Sequence, residues 1–582
     1  MQNDEQELSF KSLFIPFTTA KAIVWIVIIG LIVYANMLFN GFVWDDQSYI
    51  LNNPGIQTTN IVNLTGSNLF NNAGRYRPIP AMYFSLLFGL FSTNTFFYHL
   101  LQLLIHITNT CLLYLLFKRF FAYKLSFFLS LVFLVHPIQV ESASFIAASG
   151  NPLFFLFGIS ALLLSLQESL TLKKLSVIFI LLLLSVLTKE TGFLFLLILL
   201  FYRIYFVKRD LRKFVIGGLS VIIVYLVFRW GIGQADSPII TIIPISQLTL
   251  IERLVNVPAI IFYYLKTFFF PVTLVIDQQW VIKSLSFSTF YLPLIIDCFF
   301  LTLLGFLIHK VIKDNKKFLA ILLFSFWLII GVGMHLQIIT LSMTVADRWF
   351  YFPLVGLLGV LGIGIQIINT KLHHKKNLYK FLYLIGIFLL ITLSIRTIIR
   401  NKDWSNNISL YTHDTKVYAN YELELNLGNA YFQKGDITSA INHIEKSIQI
   451  YPNELNLNNL GAIYEKTGRT EEAEKSYNKA LTASKFPPAG NKLIRSWSFH
   501  GLVWTLLISN KFDKANEIIR LALQEYPESG QLWSDLAICE YKLGNKANAL
   551  QALKKAEMYS NYQDINTIYT IILTDQPMTL SP

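Results

Sequence analysis

Apolar runs of membrane-span length recur from about residue 22 to about residue 396, and beyond them the pattern changes to mixed polar and apolar positions at helical spacing. The runs fall near residues 22–38, 98–117, 124–137, 151–167, 175–188, 190–207, 214–230, 289–308, 318–334, 349–369 and 378–396 and predict about eleven spans. The pattern therefore predicts an all-α chain in two parts, a polytopic membrane domain over 1–400 followed by a helical repeat domain over 401–582.

Composition agrees with a membrane protein: of 582 residues 54% are hydrophobic and only 14% charged. The net charge of +13 does not point to nucleic acid, because the basic residues sit in short clusters between apolar runs. The polar start MQNDEQELSFKSLF leads into a run with no small-residue cleavage site, which reads as a retained first span with the N-terminus inside. Alternation from there places Lys118/Arg119/Lys124, Lys173/Lys174, Lys208/Arg209/Arg212/Lys213, Lys310/Lys313/Lys316/Lys317 and Lys371/Lys375/Lys376 inside. This requires the apolar helix near 252–270 to lie along the outer face; a crossing there would put the 310–317 loop outside. The outer face then receives the loop 39–97, the segments 136–152, 188–192 and 231–288, the stretch before ADRWFYFP, and the whole C-terminal domain. Cys111 and Cys298 lie in apolar runs and Cys539 in the polar tail, so no disulfide framework or metal spacing emerges.

The tail repeats itself. One copy carries Gly428, Tyr431, Gly435, Ala440 and Pro452, and the next carries Gly461, Tyr464, Gly468, Ala473, Tyr477 and Ala480. A degraded third copy keeps Ala515, Ala522 and Pro527, and a fourth keeps Trp533, Leu536, Ala537, Gly544, Ala549 and Ala556. Small residues at these offsets let antiparallel helices approach closely, the pattern of a tetratricopeptide solenoid, whose groove suits an extended polypeptide. The plainer alternative is a structural cap on the membrane part.

Candidate chemistry gathers on the outer face. Asp45 and Asp46 in VWDDQSYILNNP follow the first span, and GRYRPIPAMYF brings Arg75 and Arg77 into the same loop. Acids alone at a span end are also explained as a solvated boundary, but with arginines they suit a phosphate-bearing substrate. Arginine forks the phosphate, while a carboxylate takes a proton from an acceptor or helps to hold Mg²⁺ or Mn²⁺; metal dependence stays open. His136 and Glu141 in HPIQVES either orient a substrate or are ordinary helix-end residues. Lys189 and Glu190 in the TKETG turn either serve the site or form a simple ion pair. Arg348 in ADRWFYFP either binds a lipid phosphate or snorkels beside Trp349 and Tyr351.

Taken in order, FVWDDQSYILNNP, RYRPIPAMYF, HPIQVES, LTKETGF, ADRWFYFP and the terminal repeats resemble the transmembrane and tetratricopeptide-repeat O-mannosyltransferases and their bacterial relatives, over nearly the whole chain. That resemblance implies the GT-C superfamily, whose members use lipid-phosphate-linked sugars and place acids in the first outer loop. It implies that one of Asp45 and Asp46 is the catalytic base, and that the substrates are a polyprenyl-phosphate sugar held in membrane lipid and a polypeptide hydroxyl recruited by the repeats. The absence of a phosphate-cradling glycine loop fits a donor that is not a soluble nucleotide sugar. Abundant Lys, Ile and Asn suggest a bacterial inner membrane with periplasmic repeats; in a eukaryote the same topology gives luminal repeats in the endoplasmic reticulum. The alternatives are a transferase acting on a glycolipid or polysaccharide, a non-enzymatic repeat scaffold, for which one span would suffice, and a transporter, against which few intramembrane charges argue.

Overall fold

The computed structural model describes residues 18–57, 76–167, 170–231, 244–372, 376–483, 491–559 and 565–580; Arg75 lies outside them. Among the described residues the regular elements are all helical, with one isolated bridge pairing Gln278 and Val345. They divide into two compact units between Val417 and Tyr418, one helix beyond the sequence boundary at residue 400. Helix Asn407–Val417 stays with the first unit because its Asp414 is buried there against Arg400 and the backbone of Ile276.

In the first unit all eleven apolar runs are helical, but length trims the number of spans. Among the described residues seven helices are long and apolar enough to cross a membrane, or eight if the bent pair Tyr123–Val135 and Pro137–Ser144 counts as one. Thr19–Val33 and Pro353–Asn369 are apolar but shorter, and Leu172–Thr188 has 17 residues, so the count of about eleven is not reached on length. Between the first two apolar runs lies a further short apolar helix, Pro78–Phe91, not evident from periodicity. Helix Leu250–Phe269, capped at Thr249 through Glu252, does not qualify as a span.

Small residues set the closest helix contacts. A Cβ on Gly356 would lie 2.4 Å from the Leu328 nitrogen, and one on Gly359 2.0 Å from the Phe324 ring, so helices Asn315–Gly333 and Pro353–Leu372 pack almost backbone to backbone. The buried Trp327 indole closes that interface by donating to the Phe352 carbonyl at 3.0 Å. The 52° bend after Val135 has a local cause. Pro137 cannot continue the helix, and the His136 ring accepts from the Ile138 amide at Nδ1 and donates from Nε2 to the Phe268 carbonyl. The bend re-aims the short helix Val140–Ser144 that carries Glu141.

The second unit is a series of four helix hairpins, Tyr421–Gln433 with Ile437–Ile450, Glu454–Lys466 with Thr470–Ala483, Asn491–Ile508 with Phe512–Glu525, and Gly530–Lys542 with Lys546–Tyr559. Helix Ile565–Leu573 adds Ile565 and Ile572 to the same core. Three hairpins turn at left-handed glycines, Gly435, Gly468 and Gly544; the degraded third copy uses Asn510 at φ 57 instead, a residue type that tolerates this conformation. Gly461 exists for a close approach, since a Cβ there would lie 2.8 Å from the Tyr477 ring.

Replacing Gly461 by Val overpacks that contact and is expected to cost about 1–3 kcal/mol. Protease resistance of the repeat region in the full-length chain measures this; unchanged resistance would mean that the Tyr477 ring does not sit against the helix.

Candidate active site

The loop after the first helix is fastened to residues 398–407. The Asn36 and Asn40 side chains donate to the carbonyls of Ile398 (2.8 Å) and Asn401 (3.0 Å). The Gly41 amide donates to Ser405 O at 2.9 Å and the Trp44 amide to Asn407 Oδ1 at 2.8 Å. Trp44 adopts φ 51, strained for a bulky residue, and these bonds over-determine it. Its ring stacks on Phe145 with centroids 5.3 Å apart.

The strained loop sends its two acids to different surroundings. Asp46 is wholly buried, and its carboxylate accepts from the backbone amides of Val43 at 2.9 Å and Ala147 at 2.7 Å. Burial raises its pKa well above the ordinary carboxylate range despite these bonds. Asp46 thus ties the loop after the first helix to the segment following Glu141. Asp45 is half-buried, and its charge acts on Arg348.

Arg348 is the hub. Its guanidinium pairs with Glu141 Oε1, its backbone amide donates to Glu141 Oε2 at 2.8 Å, and its guanidinium carbon lies 5.4 Å from the centre of the Trp44 ring. Burial opposes the charge, but Glu141 and, further down, Asp45 and Tyr49 outweigh it, so the guanidinium is held above its usual pKa. The Arg348 side chain is largely buried: it is 14% exposed, and its carboxylate partner 3%. Neighbouring Asp347 accepts from the Tyr263 hydroxyl at 2.5 Å, and burial together with Glu141 pushes its pKa well above the usual carboxylate range.

The remaining candidates are placed differently. Arg77 grips Glu190 through Nη2 at 2.6 Å and Nε at 3.0 Å, joining the start of helix Pro78–Phe91 to the TKETG turn. Lys189 reaches Asn151 Oδ1 at 2.5 Å. Asn151, Lys189, Thr191, His335, Arg348 and Trp349 are among the residues lining one narrow, tightly closed cleft. His136 stands apart, because both of its ring nitrogens are committed to the backbone at the bend. Among the described residues no group of three or more His, Cys, Asp or Glu side chains gathers at metal-binding distance.

Sequence reasoning did not single out several contributors. Trp44 lies under the guanidinium, and Met343 touches it, with Sδ 3.7 Å from Nη2. His335 lines the cleft, and Arg400 forms a buried pair with Asp414 at 2.7 Å. The legible signal was the polar cluster His335–Gln337 at the end of an apolar run, just ahead of ADRWFYFP.

A multi-helix membrane unit with a charged, aromatic-lined cleft at one set of loop ends, joined to helical repeats, defines the class. Tetratricopeptide-repeat family models match residues 421–485, 454–528 and 501–562. Across the whole chain the similarity is to proteins named protein O-mannosyl-transferase. The human TMTC3 is 24% identical over 91% of this chain and 63% of its own length. The mouse TMTC3 is 22% identical over 94% and 64%. The Caenorhabditis elegans F38B6.6 is 24% identical over 73% and 62%. The chain is a homologue of these transmembrane and tetratricopeptide-repeat proteins and spans somewhat less than two thirds of their length. A solved structure, the APC/C hetero-tetramer Cut9–Hcn1, aligns over 97% of the chain at 13% identity with a TM-score of 0.27, too low to bear on the fold.

The Arg400–Asp414 pair anchors the segment that holds Trp44, and removing one partner of a buried pair costs about 3–5 kcal/mol. Asp414→Ala is therefore expected to lower the melting temperature of the full-length chain sharply. Burial would raise the Asp414 pKa, but Arg400, His413 and the Ile276 amide hold it below the usual value. Its contribution is complete above about pH 4 and is lost as pH falls through the folded value. Melting curves in acid should fall less steeply for Asp414→Asn than for the wild type; parallel curves would refute the depressed carboxyl.

Proposed function

We propose that this chain is a membrane glycosyltransferase of the GT-C type that moves a hexose from a polyprenyl-phosphate-linked donor to a protein hydroxyl. The observation that carries the reading is Asp45 beside an arginine that Glu141 holds in place, in the same neighbourhood as Lys189. In the proposed step the acceptor oxygen attacks the anomeric carbon while the bond from that carbon to the phosphate oxygen breaks. The acceptor proton passes to Asp45, and the lipid phosphate leaves bearing the electron pair. Arg348 and Lys189 stabilise the charge developing on that phosphate.

The roles divide accordingly. Asp45 is the base, Asp46 and Arg77–Glu190 hold the outer loops together, and Glu141 presents Arg348. Mannose is the sugar suggested by the names of the relatives. The proposed topology keeps about eleven crossings, with the shorter apolar helices included and helix Leu250–Phe269 on the outer face. In that topology Asp45 and the repeats share the periplasmic or luminal side, where the repeats recruit the polypeptide. A scaffold without activity would leave the buried, charge-paired cleft unexplained.

Transfer of radiolabelled mannose from polyprenyl-phosphate mannose to membrane protein tests the division of roles. Asp45→Asn is expected to lose about 10²- to 10⁴-fold in rate with normal accumulation of the chain. Asp46→Asn is expected to lower accumulation instead, through the loop it secures. Undiminished transfer by Asp45→Asn would remove the proposed base.

A further inference from the structure

His335 lies two residues beyond the end of helix Asn315–Gly333, in the same cleft as Lys189 and Arg348. Its Nδ1 is 2.9 Å from the Gly331 carbonyl oxygen. A carbonyl only accepts, so the proton of the ring sits on Nδ1 and Nε2 presents a lone pair. The ring lies nearly parallel to Trp349, with centroids 5.1 Å apart and planes at 17°, which fixes where that lone pair points. Among the described residues no group hydrogen-bonds Nε2.

The cleft therefore holds two kinds of group. Lys189 and Arg348 are donors only and match phosphate oxygens, which only accept. A neutral imidazole acceptor repels those same oxygens and needs a donor partner. On a glycosyl phosphate the donors nearest the phosphate are the hydroxyls of the sugar.

Building on the proposed transfer reaction, we infer that His335 is a sugar-contacting residue that accepts a hydrogen bond from a hexose hydroxyl through Nε2, and so separates the sugar end of the cleft from its phosphate end. Burial, with Lys189 adding to it, lowers the His335 pKa to about 3, which keeps the lone pair available across the physiological range. The adjoining Gln337 supports this placement: its side chain donates to the carbonyls of Met343 (2.7 Å) and Thr344 (2.9 Å) and accepts from the Leu341 amide (3.0 Å), bracing the loop that follows His335.

The test compares two lipids and two variants in the full-length chain reconstituted in nanodiscs. Asparagine retains an amide donor near the Nδ1 position but has nothing at Nε2, whereas glutamine carries its amide to the Nε2 position. His335→Asn is expected to weaken binding of polyprenyl-phosphate mannose by about three- to tenfold, the loss of one neutral hydrogen bond. It should leave binding of sugarless polyprenyl phosphate unchanged, and His335→Gln should recover most of the difference. Equal weakening of both lipids by His335→Asn would mean that the ring merely positions Lys189 or the loop, and would overturn the inference. So would unchanged binding of both lipids by His335→Asn. If the wild type binds neither lipid more tightly than the corresponding polyprenol, the transfer reading itself fails, and this inference falls with it.

Discussion

Everything about the cleft depends on one ion pair, Arg348 with Glu141, formed where little water reaches it. Burying two charges is costly, and the cost is offset only when geometry is good and the other polar atoms are satisfied. Here Glu141 uses its second oxygen on the Arg348 backbone amide, so one carboxylate fixes both the side chain and the turn that carries it. The pair in turn requires the bend at Pro137, which brings Glu141 round, and the Trp44 ring, which covers the guanidinium. Three distant stretches of sequence meet at that contact.

The same constraint separates the adjacent acids. Trp44 is held in a left-handed conformation by Asn407, which turns Asp46 inward to cap backbone amides and leaves Asp45 half-exposed beside Arg348. The segment that imposes this, residues 398–407, is anchored by the buried Arg400–Asp414 pair. A helix beyond the last apolar run is thus part of what shapes the loop after the first helix, although 363 residues separate Trp44 from Asn407.

The architecture was legible wherever a repeating pattern carried it. Periodicity located the eleven apolar helices, and small-residue spacing located four repeat hairpins, including the degraded copy that turns at Asn510. Less legible was anything decided by burial or by a contact between distant residues. An aspartate pair looks the same whether one member is buried or not, and neither the strained Trp44 nor the Arg77–Glu190 grip has a local sequence signal. His136 looked like a site residue because a polar ring at a helix end is ambiguous; its two backbone bonds show that it supports the bend. Span number was less legible, because periodicity does not register that Thr19–Val33 and Leu172–Thr188 are shorter than the helices that meet the length of a membrane crossing.

The proposed reaction asks the Arg348 hub to meet a phosphate at the end of a membrane-embedded chain. The most direct measurement is equilibrium binding of polyprenyl phosphate to the full-length chain, set against unphosphorylated polyprenol of the same length. The account predicts saturable binding of the phosphate form only, weakened about tenfold or more by Lys189→Gln, as expected when one charge-assisted hydrogen bond is lost. Equal binding of the two lipids would contradict it.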